Sequence, residues 1–458
     1  MNQLAIPGVP QRCENTVASG AKMQFEYDLD QRVPFLQSFL FGLQWAALLI
    51  SSIIILGKVI GGLHFDDPFS QIIYLQKIFF LSAVTLFCQI FWGHRLPLIP
   101  GPSAVLIIGV ISSQGFGLST IYSSVMVGGL FITVLAVSGL FRHFQKLFTS
   151  NVVAVVLLLI TFTLAPTIQN LMIDSKSGIN PLYNMSFSLI LVFLMFLFYR
   201  LLSGIWKSTL IIWAMIAGSF LYFLSFPAGP VEDLFSDALW FSGFFQQMTL
   251  HLSIQPSVLI SFIFCFIALA INDLGSIKAV NELLEPSDID NRITRGISLT
   301  GLANIASGFF GVIGLVNYSI SPGVILSTRC ASRFTLLPAV AIMLILAFFP
   351  AATGFIGSVP SVVIGAVLAY VMTSQAAAGL IVAFKGVKEE GFQIENGLVI
   401  GLSILLGTIV AFLPTQVINI LPPFLRPILG NGFVVGVVSA LVLEHIVKGG
   451  TSSNEIAV

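Results

Sequence analysis

Apolar runs of about 20 residues, the length needed to cross a bilayer as a helix, recur along the whole chain and constrain its fold more than any other feature. In hydrocarbon an unpaired backbone N–H or C=O costs several kcal/mol, so such runs have to close their own hydrogen bonds as helices. Only 9% of the residues are charged and the mean hydropathy is +0.99, against about 25% charge in a soluble domain. The expected fold is an all-α membrane protein with fourteen transmembrane spans between residues 35 and 447. Two of them, span 3 (97–113) and span 10 (319–330), are short and broken.

The charges orient these spans. With the N-terminus inside, the outer side carries only Lys58, Lys77, Lys176 and Arg426 of the 20 Lys and Arg. The positive-inside rule predicts that bias. Both termini are then cytoplasmic, with tails at 1–34 and 448–458. The loop 227–252 holds Glu232, Asp233 and Asp237 and no Lys or Arg, so it reads as external. It separates two repeats, 35–226 and 253–447, of seven spans each. Seven is odd, so the second repeat enters from the opposite side, as an inverted repeat does.

Several function classes are excluded. The net charge is +0, which gives no case for a nucleic-acid partner. Cys13, Cys88, Cys265 and Cys330 are scattered, with neither metal-site nor disulfide spacing. The histidines fall in loops or at span ends, and no Walker loop, HExxH or GxSxG is present. The chain reads as no enzyme, with no metal site and no resident cofactor.

Polar residues appear where the neighbouring chain is apolar. The stretch Gly314–Arg329 carries Asn, Tyr, Ser and Pro, and PGPSA (Pro100–Ala104) breaks the third span of the first repeat as SPGV (Ser321–Val324) breaks that of the second. Matched breaks of this kind point to a transporter binding site. Helices starting near Ser103 and Pro322 would present free N–H groups and positive dipole ends. The alternative is that Pro and Gly merely kink two membrane helices. The expected substrate-binding set is Asn272, Ser276, Tyr318, Ser319, Ile320, Ser321, Ser103 and Ala104, with Gln44 and Trp45 behind them. Asn272 offers an amide suited to a heterocycle edge, and Tyr318 a ring to stack on. Asp273 is the coupling candidate, because a carboxylate inside a span costs about 2.5–3.5 kcal/mol at the centre. Its other reading is a wet interfacial carboxylate beside Lys278.

These residues resemble the nucleobase–cation symporter-2 family, also called nucleobase–ascorbate transporters, the uracil and xanthine permeases. The matching features are FGLQW (Phe41–Trp45), RLPLIPGPSA (Arg95–Ala104), SGFFG (Ser307–Gly311), the Gly323–Arg329 run and SVPSVVIGAVLAYV (Ser358–Val371). The resemblance implies a core of spans 1–4 and 8–11, a gate of spans 5–7 and 12–14, and short strands in spans 3 and 10. It also implies uptake of a purine or pyrimidine base with protons or sodium by an elevator motion, in a bacterial inner membrane, with some members dimeric. The chain departs from the family at the site. Ile320 and Ser321 stand where the family signature has a polar pair, Asn272 stands at the aligned position of a substrate-binding Glu, and Trp45 replaces a frequent His. An anion or organic carboxylate held between two facing helix N-termini is the alternative substrate. A channel or non-transporting receptor is the alternative of another class.

Overall fold

A computed structural model describes residues 25–140, 149–174, 178–203, 206–207, 209–226, 248–318, 320–390, 394–422 and 424–454. The first seven helices are α1 (Phe35–His64), α2 (Pro68–Phe91), α3 (Ala104–Ser112), α4 (Leu118–Val137), α5 (Ser150–Thr163), α6 (Ala165–Ile173) and α7 (Pro181–Leu201). Then follow α8 (Leu210–Ser225), α9 (Pro256–Leu284), α10 (Ile289–Phe309), α11 (Ser321–Thr328), α12 (Leu337–Phe348), α13 (Pro350–Gly357) and α14 (Ser361–Glu390). The last four are α15 (Ile394–Ala411), α16 (Thr415–Ile420), α17 (Arg426–Leu429) and α18 (Gly432–Asn454). Two strands, β1 (Pro100–Pro102) and β2 (Leu315–Asn317), interrupt this helical chain.

Local chemistry accounts for many of the boundaries. The Asp67 carboxylate accepts from Ser70 N–H at 2.8 Å and caps α2, with Pro68 at its first position. That hydrogen bond holds the exposed Asp67 carboxyl below the usual carboxylate range. Thr149 caps α5 and Asn180 caps α7 in the same way. Pro350 separates α12 from α13, which are bent by 99° across the break.

Among the described residues, eight segments of helix are long and apolar enough to cross a membrane, or nine if the bent pair counts as one span. The helix containing Asp273 runs well past the expected end of span 8 at residue 275, because Lys278 and Asn281 continue it as a polar turn beyond the apolar run.

Packing divides largely along the sequence, with α17 crossing over to pack on α9 and α3. Helix α4 packs on α10 and α9; α12 packs on α2 and α1; α3 packs on α9. Helix α14 packs on α5, α6, α7 and α8, while α15 and α18 pack on each other and on α5. Where α4 meets α10 the backbones touch. A Cβ on Gly129 would lie 2.7 Å from the Gly301 carbonyl oxygen, so small residues set this crossing, as they do between membrane helices generally.

Candidate functional site

The site is built on the strand pair. β1 and β2 run antiparallel, with Pro100 opposite Asn317, Gly101 opposite Val316 and Pro102 opposite Leu315; all six residues are buried. Proline lacks a donor, so the ladder here is sparse, and its flanks carry the register. Tyr318 N–H donates to the Ile99 carbonyl and Ser103 N–H to the Gly314 carbonyl, both at 2.9 Å. Below β2, Ile313 N–H donates to Tyr74 Oη at 3.0 Å. Each strand is followed by a short helix, so the N-termini of α3 and α11 both lie beside the pair.

The helix expected to start near Pro322 does start there, at Ser321, but the extended segment lies ahead of the expected span 10 (319–330). The extended segment is Leu315–Asn317, and SPGV forms the first turn of α11 instead. Pro322 suits a first turn, where a missing N–H breaks no helical bond, whereas the β-branched Val316 sits in the strand. Helix α11 starts at Ser321 with Ile320 as N-cap, and α3 starts at Ala104 with Ser103 as N-cap.

The expected residues fall into three positions. Asn272, Tyr318 and Ala104 are half-buried, and Ile320 is 42% exposed. Ser103, Ser276, Ser321 and Asp273 are fully buried. Gln44 and Trp45 are buried on α1. Ser319 lies outside the described residues.

Their hydrogen bonds separate scaffold from free groups. Ser276 Oγ donates to the Asn272 and Asn317 carbonyls, each at 2.9 Å, which ties α9 to β2. Ser321 Oγ donates to the Tyr318 carbonyl at 3.0 Å and accepts from Ile99 N–H at 3.4 Å. Tyr318 Oη donates to the Pro102 carbonyl at 2.9 Å, so its ring lies over β1. A Cβ on Gly101 would meet Tyr318 Oη at 2.5 Å, and only glycine admits the ring there. In contrast, Ser103 Oγ and Gln44 Nε2 are buried with no protein partner. A buried polar atom without a partner is unfavourable unless something else satisfies it.

Asp273 lies behind the strand, in mid-helix. Its Oδ1 accepts from Asn317 N–H at 3.1 Å and from Asn317 Nδ2 at 2.6 Å; its Oδ2 has no hydrogen bond. The wet carboxylate beside Lys278 is therefore not what the fold makes: Asp273 is 0% exposed. Asn317 Nδ2 also donates to Thr300 Oγ1 at 3.3 Å, which accepts from Gln89 Nε2 at 3.2 Å. Asn304 pairs with the edge of β2, its Oδ1 accepting from Leu315 N–H at 3.1 Å and its Nδ2 donating to the Leu315 carbonyl at 2.8 Å.

Asn317, Thr300, Asn304 and Gln89 are the polar residues not singled out from the sequence. A signal for two of them exists. Thr300, Asn304 and Ser307 recur at helical spacing in α10 and draw a polar stripe down one face. Asn317 lies within the Gly314–Arg329 stretch, but nothing in a sequence distinguishes a side chain that faces a carboxylate from one that faces a ligand.

Comparisons with known proteins agree on the class. The xanthine/uracil model of the Permease family matches residues 36–416. The chain is 26% identical over 439 residues to a Clostridium perfringens protein named as a purine permease, covering 94% of each. It is 25% identical over 411 residues to a xanthine permease of Bacillus subtilis, covering 86% of this chain and 89% of that one. Among solved structures, the transmembrane domain of the cyanobacterial bicarbonate transporter BicA superposes with a TM-score of 0.60 at 15% identity, over 83% of this chain and 97% of that one. At that identity the match concerns the fold alone.

Proposed function

Since the chain belongs to this permease family, whose members are transporters and not enzymes, we propose that it is a secondary active transporter that takes up a nucleobase across a bacterial inner membrane. One observation carries this reading. A buried antiparallel strand pair sets the N-termini of two short helices beside a half-buried amide, Asn272, and a tyrosine ring, Tyr318. That arrangement supplies amide and backbone donors for a heterocycle edge and a flat surface for its face. The relatives' names favour a purine, xanthine first among them.

In this reading the fourteen spans form two inverted seven-span repeats, 35–226 and 253–447, with both termini cytoplasmic. Helices α1–α4 and α9–α13 make a core, α5–α8 and α14–α18 a gate, and the core carries the base past the gate as an elevator. Ser103, Ala104, Ser319, Ile320 and Ser321 frame the base. Ser276 holds α9 to β2 behind it, and Gln44 and Trp45 back the site from α1. Asp273 binds the coupling ion, a proton or sodium. Its ligand Asn317 belongs to β2, so the charge state of Asp273 reaches the site through one strand. As in some family members, the working unit is a homodimer.

A second reading has one observation in its favour. Two helix N-termini and the unpartnered Ser103 hydroxyl suit a small anion or organic carboxylate. A thermal-shift and proteoliposome panel of xanthine, uracil, ascorbate, bicarbonate and sulfate separates the two. A ligand at about 100 times its Kd adds about 2.7 kcal/mol of apparent stability. The expected result is stabilisation by a nucleobase and saturable, gradient-dependent uptake of it. Stabilisation by an anion alone would transfer the site to the second reading, and flux that neither saturates nor follows a gradient would indicate a channel.

A further inference from the structure

His94, Asn317 and Asp273 lie together behind the strand pair, each 0% exposed. His94 belongs to the short loop between α2 and β1. Its backbone N–H donates to Gln89 Oε1 at 3.1 Å, and its Nδ1 accepts from Leu96 N–H at 3.0 Å. Gln89 Nε2 reaches on to Thr300 Oγ1 at 3.2 Å, which also accepts from Asn317 Nδ2 at 3.3 Å. A Cβ on Gly296, one turn before Thr300, would lie 3.0 Å from His94 Cβ, so the loop packs directly on α10.

The hydrogen bonds leave one atom over on each of two side chains. His94 Nδ1 is an acceptor, so a neutral ring carries its hydrogen on Nε2. Among the described residues, neither that Nε2 nor Asn317 Oδ1 is paired with any other group, and the two side chains interact. One is a donor and the other an acceptor. From the same amide, Nδ2 donates to Asp273 Oδ1 at 2.6 Å. The charged groups around the imidazole are Arg292 on α10, Arg95 next in the chain, and Asp273 beyond the amide; Arg292 Nη1 donates to the His94 carbonyl at 3.1 Å. A second cation beside Arg292, closed off from water, is unfavourable, so the ring stays neutral.

An amide can turn over. If that of Asn317 did so, its Oδ1 would meet Asp273 and its Nδ2 would meet the Nε2–H of His94. The first contact is repulsive while Asp273 is charged and favourable once Asp273 holds a proton or a sodium ion. The second sets donor against donor in either state. We propose that His94 is the positioning residue of the coupling site. Its Nε2–H keeps the Asn317 amide in one orientation, so an ion arriving at Asp273 weakens the bond to β2 instead of being absorbed by a turn of the amide. This inference rests on the reading of Asp273 as the coupling group.

The test uses the full chain in proteoliposomes. Accumulation of labelled xanthine is titrated against the driving ion, proton or sodium, for wild type, His94→Asn, His94→Gln and Asp273→Asn. The shorter Asn side chain still offers an oxygen to Leu96 N–H but does not reach Asn317, whereas Gln places an amide nitrogen where Nε2 stood. In His94→Asn the turned amide gives the ion-bound state an added partner. The half-maximal ion concentration is therefore expected to fall about three- to tenfold. His94→Gln is expected to keep the wild-type value. No shift in His94→Asn, or the same shift in both His94 variants, would overturn the positioning role; coupling itself stands as long as Asp273→Asn fails to accumulate. Wild-type accumulation by Asp273→Asn would instead remove the coupling reading. A second measurement needs only the conservative variant. In nitrogen NMR spectra of the histidine-labelled chain, the ring lost in His94→Gln is expected to be neutral and protonated at Nε2 from about pH 8 to about pH 5. A ring that gains charge over that range, or carries its hydrogen on Nδ1, would overturn the proposal.

Discussion

At the scale of single residues, Asp273 is the side chain whose proposed coupling role is most directly testable. It is fully buried, and Asn317 donates to it twice, from its backbone N–H and its side-chain amide. A carboxylate so placed holds charge in hydrocarbon only where donors or a counter-ion compensate it. Asp273→Asn keeps the shape and an acceptor oxygen but removes the charge. Gradient-driven accumulation is expected to fall to the equilibrium level, while counterflow exchange of labelled for unlabelled base persists. Accumulation at the wild-type ratio would remove Asp273 from coupling. The sequence identified this residue as an ionisable group in an apolar run, yet it also allowed a wet interfacial carboxylate. What distinguishes the two is how far α9 continues and what β2 presents to it, and neither is a property of the residues around position 273.

Among the elements, the strand pair controls the site. Three residues per strand cannot be stable alone. They persist because Asn304 pairs with one edge of β2, Ser276 ties it to α9 and Tyr318 crosses over β1. The close approach of Tyr318 to Gly101 gives a direct test. Gly101→Ala places a methyl where the Tyr318 hydroxyl lies, and overpacking of this kind costs about 1–3 kcal/mol. The expected result is a lower melting temperature and at least about tenfold weaker xanthine binding as the ring is displaced. Wild-type affinity would show that the ring plays no part in the site. Gly and Pro in PGP announced a break here, and the break is real. Its partner was less legible, since the conspicuous Pro322 and Gly323 belong to a helix start and the plain LVN makes the strand.

For the whole molecule, charge placement makes a prediction about orientation. With both termini cytoplasmic, an impermeant maleimide added to intact cells labels Leu252→Cys above the wild-type background and leaves Lys278→Cys unlabelled until the membrane is opened. The reverse pattern would mean either that the whole chain is inverted or that the number of spans before the middle of the chain differs by one.

The sequence by itself determined the class: a chain of apolar helices, broken at two places, belonging to a permease family. Those properties are additive along the chain, because each side chain's preference for lipid or water does not depend on its distant neighbours. Only the tertiary structure decided that Asp273 faces Asn317, 44 positions away, and that Asn431 reaches Ser261 and Ser112, 170 and 319 positions away. Hydrogen bonds are short and directional, so their partners are chosen by the packing of helices and not by the order of residues. The buried, unpartnered hydroxyl of Ser103 likewise becomes visible only once the helices around it are in place.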